Sequence, residues 1–195
     1  MKKQEAVYRE ILYNVIEKRE NNFTQLEISK KLGISLSIVN SAAKRLKEMG
    51  AVKVMQRSFK VLDTKKILYL WASIRNLEKD IIFKTRVEMP VREIEQIMPN
   101  IIFTAYTAYK LKFDDVPADY SEVYVYATDK ELEVIKHRLS NMTETNPNLF
   151  ILKKDKALEL YDIIPTAQIF VDLWNLREWY AKEFINALEK KMEGL

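Results

Sequence analysis

In "SLSIVNSAAKRLKEMG", residues 35–50, hydroxyls, an amide and amines recur at helical spacing. With about 100° turned per residue, Ser37, Asn40, Ser41, Lys44 and Lys47 fall on or beside one face, while Val39, Ala42, Ala43, Leu46 and Met49 fall on the other. Serine and asparagine are poor helix formers, so such a face trades local propensity for contact chemistry. Ser35, Ser37 and Ser41 can reach polar base edges or phosphates. Asn40 can pair with adenine through two hydrogen bonds. Lys44 and Lys47 can neutralise phosphates. A face that is small at its N-terminal end and cationic beyond fits a groove about 12 Å wide. A second group, Lys53, Gln56, Arg57 and Lys60, lies in "AVKVMQRSFKVLD" just after it.

The elements that must position these groups are legible nearby. In residues 4–20, Val7, Ile11, Leu12, Val15 and Ile16 make one helical stripe, which Asn21 and Asn22 end. "TQLE" matches a capping box, with Thr24 as N-cap and Glu27 at the third helical position. Gly33 suits a left-handed turn because it has no Cβ to clash. Ser35 then caps a third helix that Gly50 ends. Val52 and Val54 alternate, as do Phe59 and Val61, which predicts a two-stranded hairpin with Met55–Ser58 at its tip.

The stretch "TQLEISKKLGISLSIVNSAAKRLKEMGAVKVMQRSFKV", 24–61, resembles winged helix-turn-helix DNA-binding domains. Taken over the whole module 1–62, the resemblance covers about a third of the chain and implies that 35–49 is a recognition helix and 51–62 a wing. Lys53, Gln56, Arg57 and Lys60 would then meet the backbone or minor groove of double-stranded DNA. Some winged helices bind proteins instead, so a protein partner is the rival expectation.

Charge agrees with a basic module. Residues 1–62 hold 13 Lys and Arg against 6 Asp and Glu, and residues 63–195 hold 19 against 22. All of the positive excess therefore lies in the first third, as a polyanion-facing module requires. The chain has no cysteine, so disulfides and thiolate chemistry are excluded. "MKKQEAVYREIL" lacks a signal peptide's apolar core. The uncharged stretch Ile97–Tyr109 is thirteen residues and contains Pro99, whereas a membrane span needs about 20. A soluble, cytoplasmic protein without a membrane partner is expected.

Residues 64–79 predict a linking helix, with Ile67, Leu70, Trp71, Ile74 and Leu77 on one side. Beyond it, strands are expected at 81–88, 121–127 and 148–153, and helices at 90–98, 100–111, 129–140, 166–175 and 177–192. "TDKE", 128–131, is a second capping box. The segments "KFDDVPADYSE" and "NMTETNPN" read as turns. The expected class is α+β, with a winged helix-turn-helix domain (1–62), a linking helix (63–79) and a mixed α/β regulatory or oligomerisation domain (80–195). "TAYTAYKL", "EVYVYA" and "PTAQIFVDLWN" are loosely similar to the C-terminal part of AbiEi-type antitoxin and regulator proteins. That similarity implies repression of the protein's own promoter, with a toxin as a candidate protein partner.

Enzyme chemistry finds little footing. The three glycines, at 33, 50 and 194, form no phosphate-cradling loop. The single histidine, His137, projects away from the Leu132, Ile135 and Leu139 stripe. Asp114, Asp115, Asp119 and Glu122 lack the spacing and glycine of a calcium loop. Glu93 and Glu95 would point about 200° apart on a helix. Asp129 suits a helix N-terminus. Asp172, alone in an apolar segment, reads as a structural hydrogen-bonding group. The aromatics Tyr106, Tyr109, Tyr120, Tyr124, Tyr126, Trp174, Trp179 and Tyr180 read as core, with a ligand pocket as the alternative. No catalytic residue, cofactor or metal is expected. Ala181, Phe184, Ile185, Leu188 and Met192 either close the core or form a dimer seam. A homodimer is expected, because helix-turn-helix proteins usually bind paired half-sites.

Overall fold

In a computed structural model, which describes residues 1–139 and 142–192, the first helix, α1 (Lys3–Lys18), is more deeply set than its stripe predicts. Val7, Ile11, Leu12 and Ile16 are buried as expected, but so are Glu5, Arg9, Glu10 and Asn14. The cause is packing on several sides. Helix α1 lies against α2 (Gln25–Leu32) and α3 (Leu36–Glu48), and also against α4 (Thr64–Ile74) and α8 (Thr166–Trp174).

The local signals after α1 produce the expected elements. Thr24 Oγ accepts from the Glu27 amide at 3.1 Å, and the Glu27 carboxylate accepts from the Thr24 amide at 3.2 Å. Gly33 turns the chain at φ 61° and Gly50 at φ 69°. Ser35 occupies the N-cap position of α3 without a side-chain cap bond, and its hydroxyl lies 3.0 Å from that of Ser37. Strands β2 (Val52–Val54) and β3 (Phe59–Val61) form the hairpin, closed by Met55 N–H donating to the Ser58 carbonyl at 2.8 Å. A third strand, β1 (Asn22–Phe23), pairs with β3, giving the order β1-β3-β2. The expected helix end at Asn21 and Asn22 is thus a left-handed Arg19 followed by strand.

The second sheet has the order β5-β6-β8-β4-β7. Its strands are β4 (Ile81–Val87), β5 (Ile102–Thr104), β6 (Val123–Ala127), β7 (Met142–Thr143) and β8 (Leu149–Lys153). Strands β6 and β8 are parallel, and the other pairs are antiparallel. The chain is therefore of mixed α+β class with two sheets. Tyr124 and Tyr126 of β6 enter the main core, while Val123, Val125 and Ala127 enter a second one, as the period of two demands. The helices α5 (Val91–Ile97) and α7 (Asp129–Arg138) cover that second core through Ile94, Leu132 and Ile135. Thr128 caps α7 with Glu131 as expected. Ser140, the expected end of that helix, Asn141 and Gly194 lie outside the described residues.

One element differs in type. The helix expected over 100–111 is a strand, β5, followed by α6 (Ala105–Phe113), with Ala105 at φ 52° between them. Up to Tyr109 this stretch is uncharged and has no helical period, so pairing with β6 decides the state of its first part. The last helix, α9 (Ala181–Met192), starts later than expected. Its Ala181, Phe184 and Leu188 are buried in the main core. That core runs from Val7 to Leu188 and includes residues on both sides of position 62. Among the described residues, no helix is long and apolar enough to cross a membrane.

Candidate nucleic-acid interface

Helix α3 is divided by its burial. Val39, Ala42, Ala43 and Leu46 are buried, anchoring the helix against α1 and α2. Ser35, Ser37, Asn40, Ser41, Lys44 and Lys47 are all exposed. The hairpin packs beside α3 and exposes Lys53, Gln56, Arg57 and Lys60. Two segments thus present ten polar groups on neighbouring elements.

The electrostatics of this surface are incompletely satisfied from within. Lys53 and Lys60 stand directly opposite each other across β2 and β3. Like charges so placed repel, and an anion between or over them relieves the repulsion. Lys44 lies 3.9 Å from Glu48, with both side chains largely in water, so the pair contributes little. Among the described residues, Lys47, Lys53, Arg57 and Lys60 form no ion pair. The first turn of α3 adds unpaired backbone amides and the positive end of its dipole near Ser37. An anion is the natural complement of this arrangement.

An open cleft of about 540 Å³ separates the start of α2, the start of α3 and the hairpin tip. Its lining includes Leu26, Leu36, Val54 and Met55, four exposed apolar side chains outside the set of contact residues expected from the sequence. Leu36 lies at the edge of the apolar stripe of its own helix, about 20° from Ala43 and about 20° from Lys47.

Several of the other candidates have structural partners. Asp115 accepts from Tyr109 at 2.8 Å and pairs with Lys191 at 3.3 Å. Asp114 ends α6 in a left-handed conformation, and Glu122 accepts from Tyr180. Glu95 accepts from Thr107, Tyr120 and Lys110, whereas Glu93 is exposed. His137 and Asp129 are exposed on α7. Tyr106, Tyr109, Tyr124 and Tyr126 are buried, while Trp174 and Trp179 are exposed.

Asp172 belongs to a polar network sealed between α1, α4, α8 and β6. It accepts from Thr104 at 2.7 Å, Gln168 at 3.0 Å, Arg75 at 3.3 Å and Tyr126. Arg75 also reaches Asp80 and lies 3.7 Å from Glu5. Arg9, fully buried, donates to Asp155 at 2.6 and 2.9 Å and to Gln168 at 3.1 Å. Burial pushes the Tyr126 hydroxyl well above its ordinary value, and the Asp172 charge adds to the effect. Burial also raises Asp80, but hydrogen bonds from the chain's amino group and Arg75 outweigh it and hold the carboxyl below its ordinary value.

Comparison with protein-family models, curated proteins and solved structures finds no match to this chain.

Proposed function

We propose that this protein is a sequence-specific DNA-binding transcriptional regulator rather than an enzyme, with residues 1–62 acting as a winged helix. In this reading α3 enters the major groove and the β2–β3 hairpin lies along the backbone or minor groove. Residues 80–195 regulate or oligomerise, and the working form is a homodimer that represses its own promoter. The observation that carries the reading is the convergence of Asn40, Lys44 and Lys47 on α3 with Lys53, Arg57 and Lys60 on the adjacent hairpin, all exposed. The surplus of cations in the first 62 residues supports it independently.

Fluorescence anisotropy against the duplex upstream of the gene and an unrelated duplex, over a salt series, tests the proposal. Preferential tight binding to the upstream duplex is expected. Weak binding, equal on both and steeply salt-dependent, would reduce the surface to a nonspecific basic face. A second reading, an antitoxin-like module whose main partner is another protein, draws on Trp174 and Trp179, which stand exposed around the turn between α8 and α9. Co-purification of one stoichiometric protein from native extract would favour it.

A further inference from the structure

The cleft between the starts of α2 and α3 and the hairpin tip holds groups that phosphate contacts leave unused. Leu26 is 53% exposed and Leu36 48% exposed, and both line the cleft. Leu36 is the first residue of α3, the position that leads the helix outward. The rest of the lining is Thr24, Gln25, Gln56, Arg57 and Ser58 beside two further apolar side chains. None of the described residues lining the cleft is acidic, and Lys53 and Lys60 lie on the strands behind the tip. The charge therefore selects a polyanionic occupant, and the leucines require that occupant to offer a small apolar group. On the base edges of the major groove, the C5-methyl of thymine is that group. The N-terminal residues of a groove-entering helix are the ones that meet base edges.

We infer that Leu36, with Leu26 in the same cleft, reads the C5-methyl group of thymine in duplex DNA. The inference rests on the DNA-binding reading and adds a specificity element to it. Serine and asparagine on α3 offer hydrogen bonds, which leave thymine's methyl unread. A leucine at the helix tip supplies the missing contact without a charge. Removing one methyl from such a contact costs about fourfold in affinity, the worth of one buried CH₂.

The test begins with enrichment of a preferred duplex from a random pool by the full chain. Each thymidine of that duplex is then replaced by deoxyuridine, which removes the methyl and leaves every hydrogen-bonding group. Binding about fourfold weaker at one or two positions is expected. The Leu36→Ala protein should bind the thymine duplex more weakly and show no thymine-to-uracil difference there. Leu36→Met, which retains an apolar tip, should restore most of the difference. Because Leu36 is exposed, both variants should keep the wild-type melting temperature, and far-UV circular dichroism checks that they fold. Enrichment with no uracil effect anywhere would overturn the inference and leave the DNA-binding reading intact. A full uracil effect persisting in Leu36→Ala would likewise overturn the assignment to Leu36. A pool that never enriches would overturn both readings and leave the cleft to a protein partner.

Discussion

Arg75 and Arg57 carry the same guanidinium in opposite surroundings. Arg75 is buried among Asp172, Asp80 and Glu5, which tie α4 to α1 and α8. Arg57 stands exposed at the hairpin tip, with no carboxylate among the other described residues lining its cleft. A charge that is desolvated needs its partners within the chain, and so it becomes part of the architecture. A charge left in water with no internal partner costs the fold nothing and remains available to an outside anion. The same division separates the two polar groups of this molecule. The network around Arg9, Arg75 and Asp172 holds elements together, whereas the upper face of α3 and the hairpin presents chemistry outward.

The difference can be broken from the inside first. Replacing Arg75 by methionine leaves the buried carboxylates of Asp172 and Glu5 without their guanidinium and should cost about 3–5 kcal/mol, measured by urea unfolding. A loss below about 0.5 kcal/mol, within the range of ordinary surface changes, would show that Tyr126, Thr104 and Gln168 alone satisfy Asp172. On the outer face, Asn40→Ala should leave stability unchanged and remove about 1–3 kcal/mol of discrimination at one base pair, read by competition between single-substituted duplexes. Uniform weakening over all duplexes would instead place Asn40 on a phosphate.

The turn that aims this face can be probed separately. Gly33 has φ 61°, and a Cβ added there would meet nothing within 4 Å. Gly33→Ala should therefore cost only the left-handed backbone strain, about 1–2 kcal/mol, seen as a lowered denaturation midpoint. Lys44→Ala combined with Arg57→Ala should change stability by less than about 0.5 kcal/mol. In binding, the slope of log affinity against log salt should flatten by about 2, for two lost phosphate contacts. An unaltered slope would remove both residues from the interface.

The smallest effect concerns acid stability. Asp80 has a folded-state affinity for protons below its ordinary value. Its contribution to stability is therefore present above that ordinary value and is lost as pH falls through the lowered one. Asp80→Asn should flatten the decline of wild-type stability below about pH 4, followed by thermal melts at stepped pH. An unchanged acid limb would assign the decline to other carboxylates.

The amino-acid sequence by itself determined what depends on near neighbours. The Thr24 and Glu27 reciprocal cap, the left-handed Gly33 and Gly50, the division of α3 and the alternation in the hairpin all rest on contacts within a few residues. The exposed candidate residues were legible for the same reason, since a helical period shows which side chains the core does not need. Only the tertiary structure decided what depends on distant partners. Strand β5 formed where a helix was expected because β6, some twenty residues on, supplies its ladder. Asp172 was visible as a lone acid, but its ion pair with Arg75 spans 97 positions. Glu5 and Arg9 look like the solvent face of α1 and are buried because α4 and α8 close over it, while Glu10 is buried against Lys31 and Tyr161. The Leu26 and Leu36 cleft likewise exists only once the hairpin tip is folded beside α2 and α3. Caps, turns and periods act through short-range sterics and hydrogen bonds, which a linear reading captures. Burial and pairing depend on which surfaces meet, and that is a property of the folded chain alone.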